Sequence, residues 1–459
     1  MSTPGFAPFA TKMRAEGLPE IAIAAFERAY GLLGSGDLGK ISRRDIAPVD
    51  DLPDAAGLAQ WRDAGRAALD RTVVIKLNGG LGTSMGMTRA KSLLRVKQGL
   101  TFLDIIVRQV LHLRETHGAR LPLVLMNSFR TRDDSLALLA RHPALDVGLP
   151  LDFLQHKVPR ILKSDRTPVA WPSEPEHEWC PPGHGDIYAA LVTSGTLAAL
   201  LERGIEYAFV SNADNLGAVL DLDILGWFAA EQVPFLMEVA DRTEADRKGG
   251  HLARSRGGGL LLRESAQCPD DEKDDFQNIA VHRFFNTNNL WVNLRTLART
   301  MDETHGVLPL PLIANEKPVD PADPTSPTVI QLETAMGAAI GVFPGARAVR
   351  VPRARLVPVK TTSDLLSLWS DVHDLTDDFR VVVSPRRTLP PIFVDLDQKF
   401  FRRVPDVEAR FPAGAPSLVD AARFVVEGDV RFAGTATVRG DVRVTGPTTV
   451  PDGAVLAGA

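Results

Sequence analysis

The chain has 459 residues, 52 Lys and Arg against 57 Asp and Glu, a net charge of −5, and 44% apolar with 24% charged residues. That length holds two or three domains with filled cores, and the composition is that of a soluble globular protein. A mildly acidic balance excludes a general nucleic-acid binder, and no uninterrupted apolar run is long enough to span a bilayer. The start, Met1-Ser2-Thr3-Pro4, has neither a basic nor an apolar leader region, and the two cysteines, Cys180 and Cys268, fit no metal or CxxC spacing. Both features point to a reducing cytoplasm.

Residues 1–70 read as a helical segment. Leu18-Pro19-Glu20 opens an amphipathic stretch through Leu33, Gly34-Ser35-Gly36 closes it, and residues 62–69 form a second short helix. Residues 71–380 alternate strand-like with helix-like segments. The strands are 73–77, 121–126, 151–154, 206–211 and 233–239; the helices are 102–115, 133–140, 187–201 and 222–231, with apolar periodicity already visible from Ser92 to His112. This alternation predicts an α/β fold, a doubly wound, mostly parallel sheet whose ligands bind beyond the carboxyl ends of the strands. Residues 381–459 differ: Ser384-Pro385 and Leu389-Pro390-Pro391 break the chain, and Gly428-Asp429-Val430-Arg431-Phe432 is echoed by Gly440-Asp441-Val442-Arg443-Val444. That rhythm of two hexads suits a β-helix or a plain hairpin, packed on its own core or on another subunit.

The first strand empties into Asn78-Gly79-Gly80-Leu81-Gly82. A glycine loop after a strand brings backbone N–H groups close to a ligand, usually phosphate. It fits neither G-x-x-x-x-G-K-[ST] nor G-x-G-x-x-G, so a tight turn stands as the other reading. Lys91 follows, a point charge for a polyphosphate or a solvated lysine. In Pro181-Pro182-Gly183-His184-Gly185-Asp186 a rigid bracket holds one histidine before a helix, where the dipole favours anions. His184 then contacts substrate or is a bonded structural histidine, and the plain alternative for Asp186 is an N-terminal cap. Asn212-Ala213-Asp214 leaves another strand, where an acidic residue can hold Mg²⁺ or simply build a turn. Asn286, Asn288 and Asn289 suit sugar hydroxyls or a buried network. Lys360 is an ordinary surface lysine or, as the preceding Val357-Pro358-Val359 argues, one with a semi-buried stem, and Ser363 or Thr362 caps the next helix.

Together, these segments resemble the UTP–glucose-1-phosphate uridylyltransferase family of eukaryotic type. Eight ordered blocks carry the likeness, among them Lys76-Leu77-Asn78-Gly79-Gly80-Leu81-Gly82, Pro181-Pro182-Gly183-His184-Gly185-Asp186, Ser211-Asn212-Ala213-Asp214-Asn215, Asn286-Thr287-Asn288-Asn289-Leu290-Trp291 and Pro358-Val359-Lys360-Thr361-Thr362-Ser363-Asp364. The resemblance implies a Rossmann-like nucleotidyltransferase domain at 71–380 and a small β-helix-like domain at 381–459. It implies that Leu77, Asn78, Gly79 and Gly80 form the nucleotide loop, that Lys91 contacts the triphosphate, and that Gln155 and Gly183 read the uracil. His184, Asn212 and Ala213 would position the sugar phosphate, Gly250 and Asn288 would face the hexose, and Asp214 would meet the nucleotide through Mg²⁺. Lys91 and Lys360 would act on phosphate during transfer. The implied reaction joins UTP and glucose 1-phosphate into UDP-glucose with release of pyrophosphate, and the C-terminal repeats would support a homo-oligomer. Another hexose 1-phosphate, or a non-catalytic nucleotide-sugar scaffold, are the rival readings. Arg89-Ala90 stand where many members read Gly-Pro, and Cys180 where an aromatic is common.

Overall fold

The computed structural model describes residues 3–36 and 39–458, so the first two residues of the expected leaderless start lie outside the described residues. Ten strands form the central sheet. In chain order they are β1 (Ile46–Ala47), β2 (Thr72–Asn78), β3 (Leu123–Asn127), β4 (Asp152–Leu154), β5 (Tyr207–Asn212), β6 (Phe235–Asp241), β7 (His251–Ser255), β8 (Leu260–Arg263), β9 (Phe284–Asn293) and β10 (Arg347–Arg350). Their order is β1-β7-β9-β5-β2-β3-β4, with β6 lying between β9 and β10 and β8 closing on β7. Seven strands run one way, while β1, β8 and β9 run against them. The mostly parallel α/β sheet is therefore present, and the five expected strands appear with no end shifted by more than two residues. β9 was not anticipated. Its three asparagines disguise a ten-residue strand, and it inserts antiparallel between β5 and β6.

The strands are apolar on both faces because both faces are covered. Val74 of β2, Leu123 and Leu125 of β3, and Phe209 of β5 enter one core. Their neighbours Val73, Ile75, Val124, Met126, Ala208 and Val210 enter the other. Successive side chains in a strand point to opposite faces, so one apolar run serves two layers of helices. The helices around them are α1 (Ala7–Ala15), α2 (Glu20–Ser35), α3 (Arg62–Leu69), α4 (Phe102–His117), α5 (Arg132–Leu139), α6 (Ile187–Thr193), α7 (Thr196–Glu202) and α8 (Leu222–Ala230). α4 starts at a capping box between Thr101 and Asp104. The helical periodicity from Ser92 does not hold: Lys91–Leu93 is a single 3₁₀ turn, and a small hairpin of Arg95–Lys97 with Leu100–Thr101 precedes α4. The expected helix 187–201 is two helices, because Gly195 takes φ +74° between α6 and α7.

Phe6, Phe9, Phe26 and Tyr30 bind α1 and α2 into one aromatic cluster, which packs on Val158, Ile161 and Leu332. In the C-terminal region the hairpin reading is excluded by the pairing. Phe424 pairs with Val442, Val430 with Thr448 and Ala436 with Ala454, all in parallel and all eighteen residues apart. The echoed motifs twelve residues apart are therefore not stacked on each other. The stack packs on its own core, to which Leu366 and Val372 contribute.

α3 and α8 cross at two glycines. A Cβ on Gly226 would sit 1.9 Å from the Trp61 carbonyl, and one on Gly65 would sit 1.9 Å from that of Leu222. The obstacle is backbone and cannot rotate away. Gly226→Ala is expected to destabilise by about 1–3 kcal/mol or more through overpacking. Gly34→Ala, exposed in α2 with nothing within 4 Å, is expected to be neutral or stabilising by a few tenths of a kcal/mol, up to about 1. Denaturant unfolding of the two variants reads the difference, and equal midpoints would contradict the tight crossing.

Candidate functional site

β2, β3, β4 and β5 are mutually parallel, so the segments leaving their carboxyl ends emerge at one edge. They enclose a cavity of about 600 Å³. Of the fourteen residues expected at the site, eleven line it: Leu77, Asn78, Gly79, Gly80, Lys91, Gln155, Gly183, His184, Asn212, Ala213 and Asp214. Gly250, Asn288 and Lys360 lie outside that lining.

The Lys91 ammonium is the junction of the site. It meets Asp214 Oδ2 at 2.6 Å and also donates to the Val359 carbonyl. Its own backbone N–H donates to the Gly80 carbonyl at 3.0 Å, which fixes the path of the loop through Arg89-Ala90. Arg89 pairs outward with Asp134, and Ala90 is fully buried. One residue thus holds the glycine loop, the Asp214 turn and the Val359–Lys360 segment in register. Lys91 is not the solvated lysine of the alternative reading; its side chain is 16% exposed.

Asn78 is buried. Its amide donates to Asn127 Oδ1 and Ser135 Oγ, both at 2.7 Å, so its side chain ties β2 to β3 and α5, leaving the backbone to face the cavity. The Ser128 hydroxyl donates to the Gly79 carbonyl at 3.0 Å. Gln155 donates from Nε2 to the Gly183 carbonyl at 2.9 Å. Gly183 takes φ +79°, and a Cβ there would lie 2.4 Å from the Thr334 carbonyl, so no other residue fits.

His184 opens a 3₁₀ turn ahead of α6. The Met336 N–H donates to its Nδ1 at 2.9 Å. Burial pushes its pKa down to about 4. The ring is therefore neutral at neutral pH, with its one proton on Nε2 as a donor. Asp186 occupies the N-cap position of α6, but its side chain makes no capping bond. It accepts instead from the His156 N–H at 2.7 Å and lies 2.8 Å from His156 Nδ1, fixing the residue next to Gln155.

The Asp214 turn rests on charges that the sequence reading passed over. Lys76 is fully buried and donates to Ser211 Oγ at 2.7 Å and to the Ala218 carbonyl at 2.8 Å, so it grips both ends of the turn. Burial, with Arg355 nearby, pushes its pKa down to about 7. Asn215 accepts from the Gly217 and Val357 N–H groups and donates to the Arg355 carbonyl and Asn289. Below it, Arg355 forms a bidentate pair with buried Glu238, at 2.7 and 2.6 Å, and Asn289 and Trp291 donate to the same carboxylate. Asn289 is thus part of a structural network. A lysine inside the run Val-Val-Ile-Lys-Leu was the one visible signal of this layer.

Of the three remaining residues, Gly250 and Lys360 lie near Glu264, and Asn288 joins Gly250 through Asn286. A Cβ on Gly250 would lie 2.5 Å from the Glu264 carboxylate, and the Lys360 ammonium acts on that carboxyl group, whose pKa burial raises. The Gly250 carbonyl accepts from Asn286 N–H at 3.3 Å, and Asn286 and Asn288 bond each other. Lys360 is exposed rather than semi-buried; Val359 takes the buried position. The cap of the following helix is Thr361, with Asp364 closing the box, and neither Ser363 nor Thr362 serves.

Among the described residues no group of three or more His, Cys, Asp or Glu could hold a metal ion. The donor set fits a different mode. Asp214 presents one partly exposed carboxylate to the cavity, already faced by a cation, and Mg²⁺ is commonly held by one carboxylate plus substrate phosphates and water.

A sequence model of the UTP–glucose-1-phosphate uridylyltransferase family matches residues 26–439. The chain is 42% identical to the UTP–glucose-1-phosphate uridylyltransferase of Solanum tuberosum over 418 residues, 90% of this chain and 85% of that one. The enzyme of the same name from Hordeum vulgare is likewise 42% identical, over 417 residues with the same shares. The crystal structure of a Leishmania major UDP-glucose pyrophosphorylase variant in complex with UDP-glucose superposes with a TM-score of 0.92 at 43% identity, covering 100% of this chain and 99% of that one. A Trypanosoma brucei UDP-glucose phosphorylase gives 0.88 at 42%, covering 99% and 98%.

The buried histidines set a pH dependence. His184 is held down to about 4 and His251 to about 2, both from 6.5 and both mainly by burial. Below pH 6.5 the unfolded chain binds protons on these rings before the folded chain does. Their contribution is therefore complete above pH 6.5 and is lost as the pH falls. Denaturant midpoints are expected to drop steadily from pH 6.5 to pH 4, with His184→Gln reducing that slope. An unchanged slope in the variant would contradict a neutral, enclosed His184.

Proposed function

The chain belongs to the UTP–glucose-1-phosphate uridylyltransferase family, and we propose that the cavity at the carboxyl edge of the sheet is where its two substrates meet. The protein is a nucleotidyltransferase that forms UDP-glucose and pyrophosphate from UTP and glucose 1-phosphate. The observation that carries the site assignment is the gathering of eleven expected residues, from segments far apart in sequence, around one cavity.

An ionised oxygen of glucose 1-phosphate attacks the α-phosphorus of UTP in line. The bond from that phosphorus to the α–β bridging oxygen breaks, and pyrophosphate leaves with the electron pair. The nucleophile is already an anion, so no general base is required. Bringing two polyanions together and spreading the charge of the leaving group are the difficulties, and positioning with electrostatics answers both. In this reading Leu77, Asn78, Gly79 and Gly80 approach the nucleotide with their backbone, and Lys91 neutralises the triphosphate. Gln155 and Gly183, already bonded to each other, take the uracil edge. The Nε2–H of His184, with Asn212 and Ala213, donates to the sugar phosphate. Gly250 and Asn288 take the hexose, and Lys360 takes the transferring phosphate. Asp214 would hold Mg²⁺, which supplies charge neutralisation to the phosphates when bound.

We assign catalysis to residues 71–380. The eighteen-residue parallel offset supports reading the C-terminal stack as a short β-helix-like domain, and the 60% exposed Val455 on its last strand, Ala454–Ala457, supports a homo-oligomer built through it. No described helix is long and apolar enough to cross a membrane. The two free, buried cysteines support a reducing cytoplasm.

Pyrophosphate release with Mg²⁺, crossing the four nucleoside triphosphates against glucose, galactose and N-acetylglucosamine 1-phosphates, is expected to single out UTP with glucose 1-phosphate. Lys360→Ala should cost on the order of 10²–10³ in kcat, about 3–4 kcal/mol, by the measure of a single lost oxyanion donor. Turnover at the unmodified rate in that variant would remove Lys360 from the reaction.

A further inference from the structure

We infer that Arg242, which lies outside the lining of the cavity of about 600 Å³, is a positioning residue that sets hexose selectivity; the inference rests on the reading that Gly250 and Asn288 face the sugar. Arg242 follows the last residue of β6 and is 7% exposed. Its guanidinium donates to five backbone carbonyls. Nη1 reaches Phe276 at 2.9 Å and His282 at 3.2 Å. Nη2 reaches Asp246 at 3.2 Å, Arg247 at 2.7 Å and Gly249 at 3.4 Å. These carbonyls belong to two loops that carry short helical turns, 242–250 leading into Gly250 and 264–283 leading into the start of β9, which holds Asn286. No ladder joins the loops, and the strands that follow them pair only at His251 with Phe285. A planar fork of N–H groups takes the place of the missing sheet bonds, which an ammonium with three donors cannot match.

The loop it holds has no slack. A Cβ on Gly249 would lie 2.1 Å from the Phe285 ring, and one on Gly250 would lie 2.5 Å from the Glu264 carboxylate. Immediately beyond, Asn286 N–H donates to the Gly250 carbonyl, and Asn288 is bonded to Asn286 and held at φ +58°. Telling glucose from its epimers means sensing the direction of one hydroxyl. That requires the wall to be fixed within about 0.5 Å, and Arg242 is what fixes it from behind. The UTP side of the cavity hangs on other elements, chiefly β2, β4 and the Lys91 junction.

The test is steady-state kinetics on Arg242→Lys and Arg242→Met with glucose and galactose 1-phosphates, alongside Asn288→Ala as a direct wall variant. KM for glucose 1-phosphate is expected to rise on the order of 10- to 100-fold in Arg242→Met. The preference for glucose over galactose should narrow, KM for UTP should stay unchanged, and Arg242→Lys should recover part of the loss. Where Arg242→Met does not fold, Arg242→Lys, which keeps the charge, carries the test through its narrowed preference. A parallel rise in both KM values, or an unchanged preference while Asn288→Ala alters it, would overturn the positioning role alone. An Asn288→Ala enzyme with unaltered sugar kinetics would overturn the hexose-wall reading beneath it.

Discussion

One ion pair organises the site. The Lys91 ammonium lies against the Asp214 carboxylate and the Val359 carbonyl, while its own amide is bonded to the glycine loop. Three segments far apart in sequence converge on it, and the bonds from Val359 N–H to the Asp214 carbonyl and from Ala213 N–H to the Leu77 carbonyl support the same register. The pair is only partly exposed, so its attraction is screened less than that of a surface pair, and breaking one side leaves the other charge poorly solvated. Such a pair suits a site for polyphosphate. The acidic partner welcomes a divalent ion, and the basic partner can turn to the phosphates without leaving the cavity.

The layers beneath explain why that pair can sit where it does. Parallel strands deliver their carboxyl ends to one edge, and antiparallel β9 starts at that same edge, which places Asn286 and Asn288 there. Lys76 grips the turn from below, Asn215 fastens it to the segment before Lys360, and Glu238 with Arg355 closes the base. Each of these groups is buried and bonded. The chain carries a net negative charge, yet two polyanions can bind because fixed donors and a few cations are concentrated at one mouth, which costs little reorganisation during transfer.

Much of this was legible in the sequence. The runs around Val73, Leu123 and Phe209 read as strands buried on both faces, because apolar residues fill both alternating sets with Lys76 as the exception in the first, and glycine loops and the Asn-Ala-Asp turn marked where they end. What was illegible depended on partners distant in sequence. Asn78 reads as a loop ligand, but Asn127 and Ser135 claim its side chain. Asp186 reads as a cap until His156 is placed beside it. β9 hides behind its asparagines, which look like turn formers until Glu238 and the Gly250 loop supply their partners. Lys360 seemed half-buried because its neighbours are apolar, whereas beyond the Asn215–Pro358 bridge Val359 points inward and the lysine is exposed. The twelve-residue echo near the C-terminus was real in composition and misleading in register, since stacking follows an eighteen-residue offset.

A double-mutant cycle on the central pair is the most direct test. kcat/KM for UTP would be measured in Lys91→Met, Asp214→Asn and the double variant, at saturating glucose 1-phosphate and Mg²⁺. Residues that act as one unit give strongly non-additive losses, so the double variant should be little worse than the poorer single one. Losses that simply add would mean the two side chains work independently, and the junction at the mouth of the sheet would not be what holds the site together.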